Sequence, residues 1–415
     1  MKHSDVIVIG SGVAGMTAAL ASAQQGKSVT LLTYGASSLS LNSGLIDILA
    51  FDDEHKAVKS PLEGIKSLPA DHPYSKIGAD YVEKAVEFFC AFAKKYHLPY
   101  HGSLNSQMMV PTAVGTLKPT CLAPHSLSGS ESFVGKKKVV VVGVKGLKDF
   151  YADIMIQNLK KAMGEELSYE SVEIDTGIEG GRDLTILDVA RWLDTPKGVD
   201  SFTEQLKSYK GQTETVLIVP QILGTSGHAC YLTVASRMET DVVETTGLPP
   251  STNGLRLQAI FRQALKDNGV EFVENTKVIG AREEGGRCTG VIAQAGIRQK
   301  VYTADKYILA TGGFYSGGIT MRDFEQPREE VFGLPVFFVK GEENWSNAEL
   351  FSNKPQGYAK TGVLTDENLR PVDENGKLVL ENVYVVGRDL GGYDLCFEHS
   401  GNGVALASGY KAAQM

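Results

Sequence analysis

Cysteine is scarce and scattered in this sequence. Cys90, Cys121, Cys230, Cys288 and Cys396 are the only five in 415 residues, and no Cys-x-x-Cys pair occurs. That excludes a disulfide-stapled miniature domain and argues against an iron–sulfur cluster or a cysteine-rich zinc site in this chain. Long apolar runs are missing too, and without about 18 consecutive apolar residues no membrane-crossing helix is expected. There is no basic surplus: 41 Lys and Arg stand against 49 Asp and Glu, a net charge of −8, which disfavours a nucleic-acid face. The opening Met1-Lys2-His3-Ser4-Asp5 passes straight into a strand-like run, so no signal peptide and a cytoplasmic location are expected. Glycine, by contrast, is plentiful at 45 residues. The remaining composition is ordinary and globular, enough for two or three domains at about 150 residues each.

The first thirty-five residues predict a βαβ unit. Asp5-Val6-Ile7-Val8-Ile9 is a short apolar run ending at Gly10, as in a buried parallel strand. Good helix formers fill Ala14 to Gln25, Gly26 ends the helix, and Ser28–Leu32 is a second strand. Helical patterns follow over 78–98, 147–163 and 254–268, with strands at 139–143 and 215–219. Short alternating strands occupy 276–303, with a turn at Glu284-Gly285-Gly286-Arg287. The tail holds a strand at Val383–Gly387 and a last helix from about Gly403.

Gly10-x-Gly12-x-x-Gly15 lies between the first strand and its helix, the context in which this spacing binds a dinucleotide. Gly10 permits the tight turn, Gly12 admits a pyrophosphate to the backbone, and Gly15 lets helix and strand pack closely. Val13 and Ala14 open the helix, whose free N–H groups favour phosphate. The acid usual at the end of the second strand is replaced by Thr33, a weaker ribose partner. A dinucleotide with a loosely gripped adenosine is therefore expected, with a mononucleotide as the alternative.

Two distant segments point to flavin. Leu309-Ala310-Thr311-Gly312-Gly313 looks like the Ala-Thr-Gly strand end of two-dinucleotide flavoproteins, and Val383–Gly387 like their C-terminal strand. The acid expected after Gly387 is displaced by one position, Arg388-Asp389. Gly401, Asn402 and Gly403 open the last helix, whose dipole suits the anionic side of a reduced flavin.

Further segments carry a family resemblance. Ser43-Gly44-x-x-Asp47, His72-Pro73-Tyr74-Ser75, Val142-Gly143-x-x-Gly146-Leu147, Pro249-Pro250-Ser251-x-x-Gly254-x-Arg256-Leu257 and Gly362-Val363-x-Thr365-Asp366-x-x-Leu369-Arg370-Pro371 resemble, in this order over nearly the whole chain, the B-type subunit of anaerobic glycerol-3-phosphate dehydrogenase. The flavin segments are similar to the fumarate reductase/succinate dehydrogenase class. The resemblance implies oxidation of sn-glycerol 3-phosphate to dihydroxyacetone phosphate. It also implies two partners, an A-type flavoprotein subunit and a C-type iron–sulfur subunit that passes electrons to membrane quinone. Those partners would place this chain at the inner face of the membrane. The resemblance implies FMN, whereas the glycine fingerprint favours FAD; both stand as expectations. An electron-relay or assembly role, and a stand-alone reductase acting on another small anion, are the competing readings.

The expected fold is α/β: a discontinuous Rossmann-like FAD/NAD(P)-binding domain (1–50, 252–320 and 355–415), an inserted α/β cap (51–251) and a connecting segment (321–354). Expected cofactor contacts are Gly10, Gly12, Val13, Ala14, Gly15, Thr33, Ser43, Gly44, Thr311, Gly312, Gly387, Asp389, Gly401, Asn402 and Gly403. Catalytic candidates are His399 as a proton carrier, Arg370 as an anion clamp, and Asp47 beside the flavin ring. Arg256 and Arg388 are further anion-clamp candidates. His97 and His101 have metal-ligand spacing, but Pro99 disfavours the helix they would need, so no metal is expected. Cys396 reads as a buried small hydrophobe.

Overall fold

The structure, a computed structural model, describes residues 2–127, 130–178, 182–321, 326–349 and 352–415. Part of the expected connecting segment, 322–325 and 350–351, lies outside the described residues. In chain order the main elements begin with β1 (Lys2–Ile9), α1 (Val13–Gln24), β2 (Val29–Leu32) and α2 (Ala79–Lys95). Next come β3 (Met108–Pro111), β4 (Leu117–Thr120), β5 (Lys138–Val144), α3 (Ala152–Met163), β6 (Ser168–Ile174), α4 (Ile186–Leu193) and α5 (Pro196–Gln205). They continue with β7 (Thr215–Val219), α6 (Ala229–Met238), β8 (Asp241–Glu244), α7 (Thr252–Asp267), β9 (Glu271–Val273) and β10 (Lys277–Glu284). The last are β11 (Arg287–Ala295), β12 (Arg298–Leu309), β13 (Val383–Val385) and α8 (Gly401–Gln414).

The larger sheet runs β9-β2-β1-β12-β11-β10, with β13 also paired to β12. β9, β2, β1, β12 and β13 are parallel, and their register brings Val273, Leu32, Ile9, Leu309 and Val385 into one row at the carboxyl edge. β10, β11 and the first half of β12 form an antiparallel meander, turned by Gly285 and Gly286 at φ +58° and +76°, as the sequence predicts. α1 is buried through Ser22 because it is sandwiched rather than half-exposed, and its small residues suit that position. α8 packs on it from outside and is buried over most of its length.

A second sheet, β8-β7-β5-β6, is wholly parallel and surrounds its own hydrophobic core. Residues 61–104, expected in the insert, instead send Ile65, Tyr74, Val82, Phe89 and Tyr100 into the main core. α2 presents one apolar face, which tells that it packs but not on which sheet. The β3–β4 hairpin lies between the two cores over a small cluster of Leu45, Met108, Val110, Ala123 and Leu127. α2 ends at Lys95, so His97 and His101 share no helix. Among the described residues no group of three His, Cys, Asp or Glu is placed to hold a metal, and no helix is long and apolar enough to cross a membrane.

The two cores are joined by a buried ion pair. Arg256 of α7 is 1% exposed and grips Glu244 of β8, 0% exposed, through two nitrogens at 2.6 and 2.9 Å. Its remaining donors reach Gly224 O and Asn253 Oδ1. Nearby, the His101, His125 and His228 rings stack edge to face at 5.2 and 5.7 Å. Burial, with His125 and Arg256, holds His228 down at about 4 against an ordinary 6.5.

This joint can be tested in two ways. Arg256→Met strands the Glu244 carboxylate in the core and costs about 3–5 kcal/mol in denaturant unfolding, whereas the double variant with Glu244→Leu recovers much of that loss. The unfolded chain protonates His228 below 6.5 and the folded chain only below about 4, so the stability from keeping it neutral is complete above pH 6.5 and is lost as pH falls towards 4. Unfolding midpoints measured across that window should fall less steeply in His228→Asn.

Candidate functional site

Ligands of open α/β sheets bind outside the carboxyl ends of the strands, and two adjoining cavities of about 540 and 110 Å³ lie there. The larger is lined by Gly10–Gly12, Leu32–Ser38, Thr276–Val278 and Ala310–Gly312. The smaller is lined by Gly12–Ala14, Asn42, Gly387, Arg388, Gly401 and Asn402. Gly12, Ser38, Leu41, Ala310, Gly312 and Ser316 border both, so the two form one trough across the sheet edge.

The fingerprint glycines divide their work. Gly10 has φ +111°, and a Cβ there would stand 2.0 Å from Ala310 O. A Cβ on Gly15 would stand 2.0 Å from Gly10 O, so helix and turn touch backbone to backbone. At Gly12 a Cβ meets nothing nearer than Ser38 Oγ at 3.5 Å; it would protrude into the trough. No side chain caps α1 and its first turn holds no acid, so the N–H groups there are free to bind an anion. α8 likewise begins without a side-chain cap or an acid, and Gly401 and Asn402 face the same trough.

Several expected contacts point elsewhere. Thr33 borders the larger cavity, but its hydroxyl is engaged with Ser11 Oγ at 2.8 Å. Asp389 is fully buried and lines neither cavity; it accepts hydrogen bonds from Thr311 Oγ1 and the Gly312 and Gly313 amides. Burial pushes its carboxyl upward against those bonds. Arg388 holds the cavity-facing position instead, its guanidinium 5.5 Å from the Tyr315 ring centre. The acid therefore braces the Thr311–Gly313 turn, and Arg388 rather than Asp389 borders the cavity. Gly403 is a packing glycine, where a Cβ would meet the Tyr74 hydroxyl at 2.2 Å. Gly44, at φ +82°, packs on Asn253, and Ser43 caps its own turn through Leu45 N; neither lines a cavity. Cys396 is exposed rather than buried.

Of the catalytic candidates the fold brings two together. Asp47 stands beside the start of α8, its carbonyl accepting from Gly403 N at 2.9 Å. His399 lies two residues before α8 at φ +50°, its ring edge-on to Phe51. Burial, then the Lys118 cation, lowers the His399 imidazole, while Asp47 raises it. Asp47 Oδ1 and His399 Nδ1 are both buried without a partner; Asp47 Oδ2 accepts from Lys118 Nζ at 2.5 Å. Arg370 does not join them: its guanidinium is forked onto Asp366, four residues away. Arg256 is consumed by Glu244. Sequence reasoning missed Lys118, which sits 71 residues from Asp47 in no motif, and Ser38, at the junction of the two cavities.

A family model described as an FAD binding domain matches residues 5–404. The B-type subunit of anaerobic glycerol-3-phosphate dehydrogenase from Vibrio vulnificus is 32% identical over 428 residues, spanning 100% of this chain and 96% of that one. This chain belongs to that B-type family. Its counterpart from Yersinia enterocolitica is 28% identical over 419 residues, spanning 99% and 97%. A solved 3-ketosteroid Δ1-dehydrogenase from Sterolibacterium denitrificans is similar over 100% of this chain and 99% of its own, at 14% identity and TM-score 0.47.

As a member of the B-type family this chain is an FAD-binding oxidoreductase, and the chemistry of its trough fits that cofactor. The free amides at α1 suit the pyrophosphate, the Thr33–Gly35 and Thr276–Val278 end suits adenosine, and Gly401 and Asn402 suit the flavin end. Gly12→Ala should leave the unfolding temperature nearly unchanged while weakening FAD binding by roughly 10- to 100-fold. Gly10→Ala, which collides with Ala310, should lower the unfolding temperature itself; flavin titration and thermal unfolding separate the two.

Proposed function

We propose that this chain oxidises sn-glycerol 3-phosphate to dihydroxyacetone phosphate and hands the electrons through partner subunits to a quinone. Membership of the B-type family supports the substrate class. The observation that carries a catalytic rather than a purely relaying role is the pair of buried, unpartnered polar atoms, Asp47 Oδ1 and His399 Nδ1, at the start of α8, whose Gly401 and Asn402 line the smaller cavity. When bound, the flavin supplies a two-electron acceptor for the hydride from C2. The protein must take the hydroxyl proton, and a neutral imidazole with an open nitrogen is suited to that. Burial and Lys118 lower the His399 imidazole, which favours the neutral ring that can take a proton. Electrons leave through another chain: the described cysteines are all free and belong to no metal-binding group. On this reading the A-type flavoprotein and the C-type iron–sulfur protein are the partners, and they carry the complex to the inner face of the membrane.

Anaerobic addition of sn-glycerol 3-phosphate to the flavin-loaded chain should bleach the flavin absorbance. A spectrum that changes only after the A-type flavoprotein is added would replace this reading with that of an electron relay. His399→Gln should slow bleaching by about 10²–10⁴-fold with FAD content unchanged.

A further inference from the structure

Lys277 lines the larger cavity at its Thr276–Val278 end, and the cations nearer α7, α8 and the turn after β13 are not equally available. Arg256 is locked in the joint with Glu244, Arg370 is forked onto Asp366, and Arg388 stacks on Tyr315. Lys118 differs from all three. It extends from β4 of the hairpin to Asp47 at the start of α8, keeps 23% of its side chain exposed, and has one carboxylate partner. The hairpin is fastened on both sides: Ile46 and Leu122 exchange backbone hydrogen bonds next to Asp47, and Thr246 N donates to Pro111 O. The base of the side chain is therefore fixed while its ammonium can move.

We propose that Lys118 is a substrate-binding residue: its ammonium, held on Asp47 Oδ2 next to the start of α8, transfers to the phosphate of a substrate bound beside that helix end. This rests on the reading of the chain as a glycerol 3-phosphate oxidoreductase. A lysine is a compact charge on a flexible stem and can change acceptor without rebuilding its surroundings. Exchanging a carboxylate for a phosphate replaces one charge-assisted hydrogen bond with another. The exchange also reaches the base. Four influences act on His399: burial, Lys118, Asp47 and the exposed His55, with Phe51 against its ring. Once Lys118 turns to the phosphate, the Asp47 carboxylate is no longer neutralised, and it draws His399 towards greater basicity as the substrate arrives. Phosphate binding and proton acceptance are thereby coupled through one ion pair.

The test uses the flavin-loaded chain and two non-reducing probes, dihydroxyacetone phosphate and dihydroxyacetone, titrated by flavin difference spectra. Lys118→Met should weaken the phosphorylated probe by roughly 10- to 100-fold and leave the unphosphorylated one unchanged; Lys118→Arg should retain most of the affinity. The Asp47→Asn/Lys118→Met double variant removes the pair without stranding a charge and should show the same selective loss. Equal weakening of both probes, or no change for the phosphorylated one, overturns the proposal and leaves Lys118 as a neutraliser of Asp47. If the wild-type chain neither binds dihydroxyacetone phosphate nor is bleached by glycerol 3-phosphate, the activity reading falls and takes this proposal with it.

Discussion

The site depends on how closely three backbones crowd Ala14. A Cβ on Gly409 of α8 would stand 2.3 Å from Ala14 O, and one on Gly387 would stand 2.8 Å from Ala14 Cβ. On the other flank Gly15 touches the Gly10 turn. No side chain larger than hydrogen fits at these crossings. α8 and the turn after β13 therefore press directly on α1, and two helix N-termini without side-chain caps open on the same trough. Their partial positive charges are fixed before any ligand arrives, so no reorganisation is needed to present them to a phosphate or a reduced flavin. The crowding also explains why α1 carries Ala14 and Gly15 where these backbones meet it.

Local pattern made the β1-α1-β2 unit legible, because each of its signals sits within a few residues of the next. The Gly10–Gly15 spacing, the apolar run before it and the Gly26 stop agree with one another. The meander and its Gly285-Gly286 turn were legible for the same reason. The row of strand ends was not: β9 and β13 are three residues each and acquire meaning only from pairing with β2 and β12. The division between the cores was hidden too, since the apolar face of α2 fits either sheet equally well as a pattern.

The site residues show the same limit more sharply. The displaced acid at Arg388-Asp389 was visible, but its consequence was not. In the short turn Gly387–Asp389 the shift of one residue buries the carboxylate and leaves Arg388, stacked on Tyr315, at the border of the smaller cavity. Arg256 and Arg370 illustrate a second cause. An arginine in a motif carries no sign of whether a carboxylate has already claimed it, and Glu244 and Asp366 have. Asp47 and His399 were separable from the background because each lies beside a glycine-rich segment. Lys118 has no such neighbour and becomes visible only when the hairpin is folded against Asp47.

That hairpin ties the stability of the molecule to its chemistry. Glu244 is held by Arg256 of the main core, and two residues after it Thr246 donates to Pro111 of β3. β3 pairs with β4, which carries Lys118, and Leu122 just beyond β4 bonds back to Ile46 beside Asp47. The chain of contacts runs from the buried ion pair, through one hairpin, to the ammonium that meets the carboxylate. A buried pair is weak evidence for stability in itself, since an apolar pair of equal volume serves as well. Here its geometry has a further use: two fixed nitrogens on two fixed oxygens set the second sheet against α7 in one orientation. The hairpin inherits that orientation, and with it the distance from Lys118 to Asp47.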